Sequence, residues 1–174
     1  MSNFASVEAE QAVLGSMLID SGCVRRVAAI LRESDFSVAL NQDLYRVIVT
    51  MDRDGQPIDG LTVCAEALRQ SLAEEKTLRK YLAQLMEITP TAANVEMYAD
   101  IVARTARRRE LKTALEDGLA ALADQAPEGQ VLAQLDAAMT ASSQRLESEL
   151  LAPKEQVDGF LDYRAKIDEG NIPY

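Results

Sequence analysis

Residues Asn94 to Ala123 read NVEMYADIVARTARRRELKTALEDGLAALA. Val95, Tyr98, Ile101 and Val102 open a spacing of three and four that Leu111, Leu115, Leu119 and Leu122 continue beyond a run of arginines. That periodicity predicts one long helix starting at Thr91 or Asn94. Asp124–Gly129, with Pro127 inside it, reads as a tight reversal. Val131, Leu132, Leu135, Met139 and Leu146 then repeat at helical spacing. Two long helices joined by a short turn make an antiparallel hairpin. A two-helix hairpin cannot bury both of its faces alone, so its leucines need a cover. Either the preceding globule covers them or another chain does; with five helices already able to satisfy one another, another chain is the expected cover.

Upstream, the same periodicity divides the sequence into five shorter helices. The first starts at Ser6 with Glu8 and Glu10 in its first turn and buries Val13, Leu14, Met17 and Leu18. The second presents Val24, Val27, Ile30 and Leu31 and stops near Ser34–Phe36. The third runs from Ala39 to Asp54-Gly55 with Leu40, Leu44, Val47, Ile48 and Met51 on one face. Thr62 to Leu72 carries Ala65, Leu68 and Leu72. Leu78, Tyr81, Leu82, Leu85 and Ile88 line the fifth, which Thr89-Pro90 ends. Beyond Pro153, Val157, Phe160, Leu161, Arg164 and Ile167 fall at helical spacing up to Gly170. No period-two alternation persists over five residues, so the fold class is all-α: a small helical globule, an antiparallel hairpin and a terminal linker helix. The expected boundaries are 1–103, 104–151 and 152–174.

Composition removes whole classes of chemistry. The 174 residues include 28 Asp plus Glu against 18 Lys plus Arg, a net charge of −10, and no histidine. Without imidazole there is no Ser-His or Cys-His pair and no His-ligated metal. Cys23 and Cys64 are far apart in sequence with no C-x-x-C, and read as buried free thiols rather than zinc ligands. None of the eight glycines precedes a Lys, so no phosphate-cradling loop is encoded. Adjacent carboxylates such as Glu74-Glu75 and Glu116-Asp117 sit in polar surroundings and read as solvated faces. No apolar run approaches membrane-spanning length. The expectation is a cytoplasmic, membrane-free chain with no metal, cofactor or enzymatic activity of its own. The basic run Arg104–Lys112 reads as a helix junction paired with Asp100, Glu110 and Glu116 rather than as a nucleic-acid patch. Little direct DNA contact is expected of a chain this acidic.

Three strings carry a specific resemblance. Glu8-Ala9-Glu10-Gln11-Ala12-Val13-Leu14-Gly15 is similar to the opening of DnaB-family replicative DNA helicases. Gln56-Pro57-Ile58-Asp59 with Leu61-Thr62-Val63 and Leu68, and then Thr89-Pro90-Thr91-Ala92-Ala93-Asn94 with Tyr98 and Ile101-Val102, resemble later elements of the same amino-terminal domain in the same order. The tail Phe160–Tyr174 resembles that family's linker helix and the approach to its motor. Asp35–Asp43 departs from the pattern by lacking the His often found there.

The resemblance implies a non-catalytic collar domain that oligomerises and receives primase and a helicase loader. It implies hairpin contacts at Leu111, Leu115, Leu119, Leu122, Leu132, Leu135 and Met139. It also implies linker docking through Phe160, Leu161 and Ile167. In that family pairs of hairpins build a trimer of dimers on a hexameric ring. ATP and Mg belong to a RecA-like motor of the parent helicase, which unwinds duplex DNA at a bacterial or phage replication fork. No such motor follows here, and the expectation is a fragment of such a protein. The alternative is a stand-alone motorless adaptor or decoy that binds and regulates a host helicase or primase.

Overall fold

The computed structural model describes residues 4–151 other than Pro90, with side chains over 7–144. The regular elements among the described residues are all helices, with no strand among them. The helices are α1 (Phe4–Ile19), α2 (Val24–Ile30), α3 (Ala39–Arg53), α4 (Gly60–Arg69), α5 (Glu75–Ile88), α6 (Val95–Ala123) and α7 (Glu128–Leu151). Single 3₁₀ turns at Ser21–Cys23 and Glu33–Asp35 flank α2. The chain divides into two compact units after Glu110.

In the first unit the core gathers Val13, Leu14 and Met17 of α1, Leu44 and Ile48 of α3, and Leu78, Leu82 and Leu85 of α5. Burying each such side chain contributes about 1.5–3 kcal/mol. The early helices form on the faces their spacing predicts, with two corrections. α4 buries Val63, Cys64 and Ala67 instead of the Ala65 face; Ala65 is exposed, and Leu68 and Leu72 are only partly covered. Asp59 starts the helix early, because its Oδ1 accepts hydrogen bonds from the backbone N–H of Leu61 (2.8 Å) and Thr62 (2.9 Å) while Thr62 Oγ1 accepts from Asp59 N–H (3.0 Å). At the end of α5, Ile88 is exposed instead of lining the core.

Gly15 decides how α1 meets α5. A Cβ there would lie 2.3 Å from both the Leu85 carbonyl oxygen and Thr89 Oγ1. Gln11 Nε2 donates to Tyr81 Oη one turn earlier (3.3 Å), so the two helices run in the same direction with backbones in close approach.

The first helix brings a further correction at Glu10. α1 starts at Phe4, and Glu10 is not in its first turn but fully buried. Its Oε1 accepts from Ser37 N–H and Ser37 Oγ, each 2.7 Å, and its Oε2 accepts from Asn41 Nδ2 at 2.9 Å. Asn41 Oδ1 accepts from Tyr81 Oη at 2.6 Å. A buried carboxylate is tolerated only when its lone pairs are satisfied. This chain of bonds meets that condition and ties α1, the start of α3 and α5 together.

The second unit comprises the distal part of α6 and the return helix α7, with the turn over residues 124–127. Gln125 takes φ 58°, and Ala126 N–H closes on the Ala121 carbonyl, which ends α6 in a left-handed cap. Within the hairpin seam α6 presents small residues and α7 larger ones: a Cβ at Gly118 would touch Leu135 Cδ2 at 3.4 Å, and Val131 is buried.

Candidate interaction surface

Helical geometry sorts the hairpin side chains into two faces. At about 100° per residue, Ala114, Gly118 and Ala121 share the inward arc of α6, and Val131, Leu135, Ala138 and Ser142 that of α7. These are the positions at which the hairpin is buried or half-buried. Leu111, Leu115, Leu119 and Leu122 occupy an arc of about 80° turned roughly a quarter-circle from the inward face. Leu132 and Met139 are turned from the inward face of α7 in the same sense. Because the helices are antiparallel, that shared sense places both stripes on one side of the hairpin.

The side is open. Leu115 is 58% exposed, Leu119 69%, Leu122 50%, Leu132 66% and Met139 64%, with Leu111 at 37%. Leu135 differs from the other six sequence-selected residues: it is half-buried and fills the space over Gly118. Phe160, Leu161 and Ile167 lie outside the described residues.

The basic run behaves only in part as its spacing suggests. Lys112 pairs with Glu116 at 3.4 Å, as expected of an i, i+4 pair. Arg109 instead reaches back within the first unit, where its Nη2 donates to the backbone carbonyls of Ser34 (3.1 Å) and Asp35 (2.9 Å) and caps the 3₁₀ turn there. Arg104 and Arg108 are exposed, and Arg104 forms no ion pair with Asp100. Sequence spacing cannot reveal the Arg109 clamp, since its partners are main-chain atoms more than seventy residues away.

The described residues offer little to chemistry. Both cysteines are buried and free; burial, reinforced by Asp20, pushes the Cys23 thiol up to about 11. No group of three potential metal ligands forms among them. A shallow hollow of about 340 Å³ lies against Met51, Pro57 and Ala65, with Glu66 and Arg69 on its rim. Arg69 grips Glu66 through Nε (2.8 Å) and Nη2 (2.6 Å), and Gln70 adds a third bond (2.7 Å). These bonds hold the Glu66 carboxyl down at about 2, so it is a fixed anion rather than a proton carrier. No helix among the described residues is long and apolar enough to cross a membrane.

Comparison with known proteins fits this architecture. The sequence profile of the DnaB-like helicase N terminal domain matches residues 2–104, more than half of the chain. The chain belongs to that family. The replicative DNA helicase DnaB of Geobacillus stearothermophilus is 39% identical over 110 residues, covering 63% of this chain and 24% of that protein. The DnaB of Mycobacterium leprae is 40% identical over 103 residues, covering 59% of this chain and 17% of that one. The matched region thus spans about a quarter or less of these relatives. The crystal structure of the N-terminal domain of DnaB helicase from Mycobacterium tuberculosis superposes with a TM-score of 0.72 at 32% identity, covering 78% of this chain and 95% of that one. The three strings that carry the resemblance are structural within this DnaB-type domain. Glu10 and Gly15 of the first hold α1 to its neighbours, Asp59 of the second caps α4, and Thr89 of the third ends α5.

Proposed function

We propose that this DnaB-type domain is the non-catalytic collar of a replicative DNA helicase, assembling through its hairpin and presenting its helical globule to primase and a helicase loader. The open leucine face carries the reading. Six large apolar side chains on one side of a two-helix hairpin exceed what solvated helices leave uncovered, while the hairpin seam is already filled by Leu135 over Gly118. A second hairpin fits this face because both copies present the same stripe. Covering it contributes about 1.5–3 kcal/mol per buried Leu or Met before the costs of association. The chain's part in replication is then assembly and recruitment; ATP and Mg act in the motor domain of the parent helicase.

The test is the double substitution L115D/L119D. Both side chains are more than half exposed within the chain, so the fold tolerates the change. Light scattering is expected to give a helical species of smaller mass than the unaltered chain. An oligomer that survives the substitution shows that the hairpin is not the interface.

A further inference from the structure

Three helices of the first unit end side by side. Gln11 of α1 bonds to Tyr81 and Gly15 abuts Leu85 and Thr89, so the next residue of that stripe, Ile19, stands just past the end of α5. On the other flank of α5, Met86 Cε lies 2.8 Å from where a Cβ at Gly60 would be, so α4 starts where α5 stops. At about 100° per residue, Ile88 falls on the α1 flank of α5 and Met86 on the α4 flank. Leu61 follows Gly60 in the first turn of α4. Ile19 (45% exposed), Ile88 (47%), Met86 (37%) and Leu61 (67%) therefore follow one another across this end of the globule. They are four of the five large apolar side chains that the described residues of this unit leave exposed; the fifth is Met97. The charge beside them has one sign. Asp20, Asp59 and Glu87 are exposed, and the stretches that supply this end, residues 7–24, 54–68 and 81–103, contain no Lys or Arg. Among the described residues no ion pair engages any of the three carboxylates, while the nearby Arg25 and Arg26 are bound to Asp52 (3.4 Å) and Glu96 (2.9 Å).

We propose that this end of the globule docks a basic amphipathic helix of a partner protein, its apolar stripe lying across Ile19, Ile88, Met86 and Leu61 and its Lys and Arg side chains on Asp20, Asp59 and Glu87. The inference rests on the recruiting role proposed for the globule and gives that role a place and a chemistry; it does not involve the hairpin. Packed helices stand about 8–10 Å apart, so the distance from α1 across α5 to α4 is about 16–20 Å. A helix with apolar residues at i, i+4, i+7 and i+11 presents a stripe about 16 Å long, which matches it. The same face of a second copy is a poor match, because it sets carboxylates against carboxylates. The apolar row supplies adhesion, and the single sign of the charge selects a basic occupant.

The probe is a synthetic helical peptide of about 18 residues with Leu at those four positions and Lys on both sides of the stripe. A second peptide carries Glu in place of every Lys. Binding to the whole chain is read by calorimetry and placed by backbone amide NMR shifts. The basic peptide is expected to bind at about 10–100 μM in low salt and to move the amides of residues 19–23, 58–62 and 86–89, and the acidic peptide to do neither. L61Q/I88Q should weaken binding about tenfold. D59N/E87Q, in which Asn still caps α4, should weaken it severalfold at low salt and little at about 0.5 M. L115D/L119D should leave it unchanged. Circular dichroism checks that each variant stays helical. If binding survives L61Q/I88Q, or if L115D/L119D removes it, the row is not the site and the inference is overturned. If L61Q/I88Q instead lowers the molar mass of the chain in light scattering, the row is a face between copies and the inference is equally overturned. A peptide that binds elsewhere on the globule, or nowhere, overturns the inference and leaves the recruiting role standing; that role fails if purified primase and loader both fail to bind the chain.

Discussion

Replacing Gly15 by Ala would place a methyl group 2.3 Å from the Leu85 carbonyl oxygen, 2.3 Å from Thr89 Oγ1 and 2.9 Å from Thr89 Cβ. Thr89 can rotate its hydroxyl away, but the Leu85 oxygen belongs to the α5 backbone and cannot. Restoring ordinary contact requires α1 and α5 to separate by about 1 Å, which loosens Leu14 and Met17 against Leu82 and Leu85 in a close-packed core. Overpacking of this kind costs about 1–3 kcal/mol or more, against about 1 kcal/mol that Ala returns as a better helix former. With main chain as the obstacle, the cost sits at the top of that range, and the net expectation is a loss of about 2 kcal/mol or more, which is a fall of about 8 °C or more in Tm for a unit of this size. Urea unfolding followed by tyrosine fluorescence reads it, since Tyr45 and Tyr81 lie in the first unit. Gly129→Ala is the control: a Cβ there meets nothing within 4 Å, and the substitution should be neutral or stabilising. If Gly15→Ala behaves like Gly129→Ala, close backbone approach is not what holds α1 to α5.

Stability should fall in alkali. Burial pushes Cys23 up to about 11 and Tyr45 to about 12, the latter helped by Asp35, from ordinary values of 9.0 and 10.0. Both stay protonated in the folded chain at a pH where the unfolded chain has released the proton, so their contribution is full below about pH 9 and is lost as pH rises through 11–12. Urea midpoints between pH 7 and 11 check this, and a midpoint that rises across that range contradicts it. Ser71 and Gln125 sit at φ 57° and 58°, where a side chain is strained. Changing either to Gly should stabilise its unit by about 0.5–1 kcal/mol, read from thermal unfolding. A loss of stability at both positions contradicts the cap geometry.

The helices were legible because their apolar spacing is a local property. Val13, Leu14 and Met17, or Leu44, Val47 and Ile48, could have been buried on no other face. α4 was misread because its buried positions, Val63, Cys64 and Ala67, are small and its larger Leu61 faces solvent at 67% exposure. The roles of Glu10 and Arg109 depend on partners from distant parts of the chain, Ser37 and Asn41 for one and the Ser34 and Asp35 carbonyls for the other. A carboxylate near the start of a helix looks the same in sequence whether it faces water or closes a buried network. The leucines of the hairpin were visible as a stripe, but which of them face inward was not. Only the structure separates Leu135, seated over Gly118, from the six on the open side.

The claim on which the rest depends is that the hairpin face is covered by a second copy of the chain. The molar mass of the unaltered chain, measured by light scattering as concentration rises from about 1 to 100 μM, tests it most directly. The mass should climb from the 19.1 kDa of the single chain to twice that value or a larger even multiple. A mass that stays at 19.1 kDa throughout contradicts the claim.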